Sequence, residues 1–280
     1  WTIFRSGCAV NGLAPLQKPM SRRTKPLRLV ESTVCLDKSF PGDTMALPMN
    51  AQVNPSDVHA QARFNMIEQQ VRPWNVLDEA VLELMGKIHR EDFVPPEYAN
   101  LAYMDIEVPL KSNAEECAAK GWHMLAPKIE ARMLQDVKIQ PTDRVLEIGT
   151  GSGYMAALMA AQAKEVVTLE IDPELAEMAR ENLLSAGVKN VEVKLADGAT
   201  NSLAQGTFDV IMLSGSVAQV PEALFAQLNA GGRIAAIVGH MPVMRFTLVT
   251  KNGDNYEVKQ PWDTAASRLA SFEEPSRFSF

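Results

Sequence analysis

The sequence has no apolar run approaching the ~18 consecutive residues of a membrane-spanning helix, which argues against membrane insertion. Cysteine is scarce. Cys8, Cys35 and Cys117 are odd in number and share no metal-type spacing, so they read as free thiols of a reducing compartment, and a cytoplasmic setting is expected. His59, His89 and His240 lack metal spacing too, and no metal is expected. A basic surplus is missing. The 280 residues carry a net charge of −7; residues 1–48 hold seven Lys/Arg against three Asp/Glu, which leaves −11 on the rest. An acidic body argues against a nucleic-acid partner, which needs a basic face for phosphates. There is no internal repeat, and no basic start followed by an apolar core as in a secretory signal.

What is present is ordinary for a globular chain: 46% hydrophobic and 22% charged residues, long enough to bury a substantial core. Residues 1–48 stand apart. They carry Pro15, Pro19, Pro26 and Pro41, the cluster Arg22-Arg23-Thr24-Lys25, and no period. They read either as an Arg-rich organellar transit peptide or, preferably, as an extension ahead of a start at Met45 or Met49. Either way they are expected to be disordered and without chemistry.

Organised sequence begins near Pro55. His59 to Val71 and Asp78 to His89 have helical spacing, with Val81, Leu84, Met85 and Ile88 on one face and Asp78 as N-cap. Phe93-Val-Pro-Pro96 is expected to stop helical structure. An irregular stretch follows, through Asp105 and Pro109 to Pro127, and helical spacing returns at Ile129 to Val137. From Arg144 strands and helices alternate, the sign of a parallel α/β sheet. The strands are Val145–Ile148, Val166–Ile171, Val191–Leu195, Phe208–Leu213 and Ile234–Val238. Helices are expected at Tyr154–Ala163, from Asp172-Pro173 to Gly187, and at Pro221–Leu228. Phe246–Thr250 and Tyr256–Lys259 flank Lys251-Asn-Gly-Asp-Asn255, a hairpin signal. The tail after Pro261 shows no pattern.

The run Val145-Leu-Glu-Ile-Gly-Thr-Gly-Ser-Gly153 passes from a strand into a helix, and glycines there let backbone turn sharply and approach a ligand. Glu170 ends the next strand, where a carboxylate bonds both ribose hydroxyls of a nucleotide. Ala196-Asp197-Gly198 ends the third, where a carboxylate accepts from an adenine amino group. A dinucleotide would need glycine where Tyr154 stands and no charge beside its pyrophosphate, yet Glu147 precedes the loop. A carboxylate there suits the cationic amino acid moiety of S-adenosylmethionine. The expected cofactor site is Glu147, Gly149, Thr150, Gly151, Ser152, Gly153, Glu170, Asp197 and Gly198. Asp172 reads as a helix cap, and Ser214 and Ser216 border the site or merely turn the chain.

Val145 to Tyr154 strongly resembles the first motif of protein-L-isoaspartate O-methyltransferases. Met66-Ile-Glu-Gln-Gln-Val-Arg72, Phe93-Val-Pro95, Ala102-Tyr-Met-Asp105 and Val108-Pro-Leu110 look like the family's N-terminal region. Phe208-Asp-Val-Ile211, Val220-Pro221, Gly231-Gly-Arg233 and Val238-Gly239 look like its later strands and loops. The resemblance covers roughly residues 60–250. It implies a Rossmann-like, doubly wound, mostly parallel sheet with a reversed final strand pair and an N-terminal helical extension. On that basis residues 55–127 form the helical and acceptor-side region, 128–262 the cofactor domain and 263–280 a C-terminal tail. It also implies methyl transfer from S-adenosylmethionine to the carboxylate of L-isoaspartyl residues in damaged protein, the expected partner.

The family's Gly-x-Thr-x-Ser-x-Pro segment, whose hydroxyls help orient the acceptor, corresponds here to Gly121-Trp-His-Met-Leu-Ala-Pro127. His123 and Leu125 replace both hydroxyls, and Lys111 to Lys120 reads as a lengthened loop. The chain ends Ser276-Arg-Phe-Ser-Phe280 where the family has Phe-Val-Pro-Leu. His123 either bonds or deprotonates the acceptor or is a loop histidine without a role; Trp122 reads as packing. Two rivals therefore stand beside isoaspartyl methylation: a methyltransferase with a different acceptor, and a non-catalytic cofactor-binding protein.

Overall fold

The computed structural model describes residues 57–200 and 206–274. The expectations for residues 1–48 and for the Ser276–Phe280 end lie outside them. Helix α1 (Val58–Met66) starts where the Asp57 carboxylate accepts the Ala60 N–H at 3.0 Å. It continues through a π-helical turn, Ile67–Val71, and a 3-10 turn, Arg72–Trp74, and ends at Asn75 with φ 65°. Helix α2 (Glu79–Lys87) is capped by Asp78, as its sequence indicates, and buries Val81, Leu82 and Met85.

In the next stretch one expectation holds and one is corrected. A 3-10 turn, Arg90–Phe93, ends at extended Val94, so helical structure does stop at Phe93-Val-Pro-Pro96; Pro96 then opens a separate 3-10 segment, Pro96–Tyr103, because a first-turn residue has no N–H partner to lose. Lys111 to Lys120 is not a plain loop. After the short strand β1 (Val108–Pro109), helix α3 (Ala114–Lys120) forms. Asn113 caps it by accepting the Glu116 N–H at 3.1 Å, and Gly121 with φ 73° closes it. Strand β2 (His123–Met124) pairs with β1, placing His123 opposite Pro109. Helix α4 (Pro127–Val137) begins on a proline and buries Ile129, Met133, Leu134 and Val137.

The main sheet then builds from β3 (Arg144–Ile148), β4 (Glu165–Glu170), β5 (Val191–Leu195), β6 (Phe208–Val217), β7 (Leu228–His240), β8 (Val243–Asn252) and β9 (Asn255–Thr264). Helices α5 (Tyr154–Ala160), α6 (Pro173–Ser185) and α7 (Glu222–Phe225) connect them. The strand order is β5-β4-β3-β6-β7-β8-β9. The first five are parallel; β8 and β9 each run antiparallel to their predecessor, which is the reversed final pair. Register stacks Val166, Val145 and Val210 on one face and Val167, Leu146 and Ile211 on the other. The first row joins the buried cluster that also holds Met66, Val81, Met133 and Leu158; the second belongs to a cluster with Leu224 and Val249. Both faces are covered, so these strands read as continuous apolar runs.

Several elements differ in length from expectation. Helix α5 stops at Ala160, and α7 is a single turn because Leu228 already starts β7. The patternless tail is not patternless in space. Strand β9 reaches Thr264, and the following segment lies along β6: Ser216 N–H donates to Ser267 O at 2.8 Å, and Leu269 N–H donates to Ser216 O at 2.9 Å. Ser216 is therefore buried under the tail.

Candidate active site

Strands β3 and β6 are neighbours although far apart in sequence, so connections leave the sheet on either side between them. A crevice at the carboxyl ends of the strands is the expected ligand position in such a sheet. The loop leaving β3 is tied down by its backbone: Gly149 and Thr150 N–H groups both donate to Leu169 O, at 2.9 and 3.2 Å. Gly151 N–H donates to Glu170 Oε2 at 2.8 Å. The other oxygen, Oε1, accepts the Ile171 and Asp172 N–H groups at 2.9 and 3.0 Å. Glu170 thus fastens the glycine loop to the end of β4. Burial raises its pKa, with the three backbone donors pulling the other way.

Gly149, Gly151, Glu170, Asp197 and Gly198 share the wall of one pocket with Gly121, Trp122 and His123. Asp197 Oδ1 accepts the Ala199 N–H at 2.9 Å. Gly149 has φ 91° and Gly151 φ 54°, in the left-handed region that side chains rarely adopt. Thr150 and Ser152 are placed elsewhere. Both are buried, and they line a smaller cavity beside His123, Leu125 and Ser214. Thr150 Oγ1 lies 2.6 Å from Thr168 Oγ1, and Ser152 O accepts Asn182 Nδ2–H at 3.0 Å. Gly153 does not reach the pocket either: it caps α5 and packs on Leu183 of α6. Asp172 caps α6 as expected and pairs with Lys111 at 3.0 Å.

Glu147 requires a correction. Its place before the loop suggests a charge presented to the ligand, but it is wholly buried beneath the loop and does not line the pocket. Hydroxyls of Ser214 and Thr168 lie 2.6 and 2.7 Å from its two oxygens. Burial pushes its pKa up to about 8, against the pull of the Ser214 and Thr168 hydroxyls.

The acceptor-side segment is held from below. Arg90, itself buried, pairs with buried Glu130 and donates Nη2–H to Leu125 O. Leu125 is buried in the main core cluster rather than facing the pocket, while His123 lines it. Burial lowers the pKa of the His123 ring, and Glu107 works against that. Trp122 packs between two cations, with Lys111 Nζ 3.8 Å and Lys120 Nζ 4.4 Å from its ring centre.

Sequence reasoning missed the tail. Arg268 and Leu269 line the same pocket, and Ser267 contacts His123. Backbone pairing to β6, not a side-chain period, puts them there.

Residues 61–266 match the sequence profile of the family described as Protein-L-isoaspartate(D-aspartate) O-methyltransferase (PCMT). The Protein-L-isoaspartate O-methyltransferase of Methanoculleus marisnigri is 40% identical over 184 residues, covering 66% of this chain and 80% of that one. Its counterpart from Koribacter versatilis is 40% identical over 189 residues, covering 68% and 82%. A solved structure from Plasmodium falciparum, in complex with S-adenosyl-L-homocysteine, superposes with a TM-score of 0.61. It covers 75% of this chain and 97% of that one at 18% identity, a likeness of fold. Another, described as protein-L-isoaspartate O-methyltransferase, gives 0.60 at 26% identity over 73% of this chain and 65% of that one.

Proposed function

The chain belongs to the protein-L-isoaspartate O-methyltransferase family, and we propose that it repairs damaged proteins by methylating the free carboxylate of L-isoaspartyl residues. It is an S-adenosylmethionine-dependent enzyme of that class. One observation carries the reading: a single pocket is walled on one side by the glycine loop with Glu170 and on the other by the His123 segment.

The pocket suits the cofactor. Gly149, Gly151 and Gly198 contribute backbone to the pocket wall, and Glu170 is the carboxylate we assign to the ribose hydroxyls. Asp197, with Oδ2 free of described partners, is assigned to the adenine amino group. The bound cofactor supplies a methyl group on a sulfonium, already activated toward an oxygen nucleophile. The acceptor carboxylate is ionised near pH 7, so the chain needs no strong base there. Its task is to hold that oxygen in line and keep water out, which accounts for much of the rate in such a transfer. His123 is the group on this segment placed to touch the acceptor.

No helix among the described residues is long and apolar enough to cross a membrane. The free buried thiol of Cys117 supports a cytoplasmic setting. The test uses methyl-labelled cofactor and paired peptides that differ only in aspartyl or isoaspartyl linkage. Label is expected in the isoaspartyl peptide alone; label in neither rules the reading out.

A further inference from the structure

The tail carries a hydroxyl to the ring of His123 and fixes it there. Ser267 N–H donates to Glu107 Oε1 at 2.9 Å, and its Oγ–H donates to Glu107 Oε2 at 2.6 Å. The same Oγ lies 3.2 Å from His123 Nδ1. A serine hydroxyl has one proton and two lone pairs. With that proton on the carboxylate, the contact to the ring requires Nδ1–H as donor. A neutral imidazole protonated at Nδ1 has a bare lone pair on Nε2. Among the described residues nothing bonds Nε2, and the ring lines the pocket beside Gly149 and Gly151. The segment Gly121–Pro127 contains no hydroxyl of its own.

We propose that Glu107 and Ser267 are positioning residues that hold His123 in its Nδ1–H form, so that Nε2 accepts a peptide N–H beside the isoaspartyl carboxylate. The inference rests on the isoaspartyl reading above. In an isoaspartyl linkage the main chain runs through the side-chain carbonyl, which leaves the free carboxylate on Cα, next to that residue's own N–H. In an aspartyl residue the free carboxylate is one carbon further from that N–H. A fixed acceptor at Nε2 therefore gauges this distance and aims the correct carboxylate at the methyl group. Burial, which disfavours the charged ring, keeps His123 in the neutral form this contact needs.

Two measurements on the full-length protein test this. Side-chain nitrogen–proton correlation spectra report the ring tautomer without any acceptor, with His123→Gln identifying the signal. The native ring should be protonated at Nδ1 and bare at Nε2, and Ser267→Ala should shift it toward Nε2–H. A native ring protonated at Nε2 alone overturns the proposal. In steady-state assays Ser267→Ala should raise the KM for an isoaspartyl peptide roughly tenfold, the scale of one lost hydrogen bond, while the cofactor KM stays put. Ser267→Thr should restore it. The double variant Ser267→Ala/His123→Gln should be no worse than His123→Gln alone, because Ser267 acts through the ring; additive losses overturn the proposal. If the native protein labels no isoaspartyl peptide, the parent reading and the acceptor contact fall together, while the spectra still decide the tautomer lock.

Discussion

Leu269 of the C-terminal segment rests on Gly149 at the head of the pocket, so closely that a Cβ on Gly149 would come within 2.6 Å of Leu269 Cδ2. Gly215 completes the seat, with its own Cβ position 2.8 Å from the same atom. Two residues from separate strand ends thus owe their lack of side chain to a third, far down the chain.

Gly149→Ala should therefore act through the tail as well as the backbone. An alanine at φ 91° costs about 1–2 kcal/mol on its own, and displaced Leu269 adds to it. Calorimetry with S-adenosylmethionine should show at least about a tenfold loss of affinity, 1.4 kcal/mol. Adding Leu269→Ala should recover part of it; undiminished binding in the single variant would remove the seat from the account.

Glu170 is expected to matter twice, for the ligand and for the loop. Glu170→Ala frees the N–H groups of Gly151, Ile171 and Asp172. Cofactor binding should weaken by about 1–3 kcal/mol, the scale of a charged hydrogen bond. Glu170→Gln, which keeps one carbonyl acceptor, should fall between. Titration of all three proteins with cofactor checks the order.

Arg90 and Glu130 are almost fully buried together. Arg90→Met strands Glu130 and should cost about 3–5 kcal/mol in urea unfolding. Arg90→Met with Glu130→Leu should be more stable than the single variant, because no unpaired charge remains. Both should slow methylation, since the Leu125 carbonyl loses its donor.

Glu147 predicts a pH dependence of stability. Its folded pKa, about 8, stands above the ordinary 4.5. Below pH 4.5 it is protonated folded or unfolded, and nothing is lost. As pH rises from there toward 8, only the unfolded chain releases the proton, so the native state loses ground. The loss is about 1.4 kcal/mol for each factor of ten in proton affinity between the two states. Glu147→Gln removes that loss. The variant's advantage in urea unfolding should grow between pH 5 and 8; a difference flat with pH would show an ionised Glu147.

Much of the fold was legible because local rules govern it. Asp78 and Asp172 cap helices, glycines punctuate the loop after β3, and Val145, Val166 and Val210 belong to apolar runs. Helix α3 carried a signal as well: Asn113 followed three residues on by Glu116, with Gly121 past the end, forms a capping pattern that reading the stretch as a loop overlooked. Length was harder to read. Where α7 ends and β7 begins depends on pairing with β6, which Leu228 does not announce.

Residue order was enough to pick out the glycine loop between Gly149 and Gly153, the carboxylates Glu170 and Asp197 that the fold brings to one pocket, and the alternation that makes a parallel sheet. Those follow from short-range conformation and from the period of burial. Only the folded chain buries Glu147 beneath the loop and away from the pocket wall, and desolvation there depends on what lies above and below a strand. Folding likewise brings Ser267 to His123 and Leu269 to Gly149. Those contacts arise because the tail borrows backbone hydrogen bonds from β6, and backbone groups are the same in every residue.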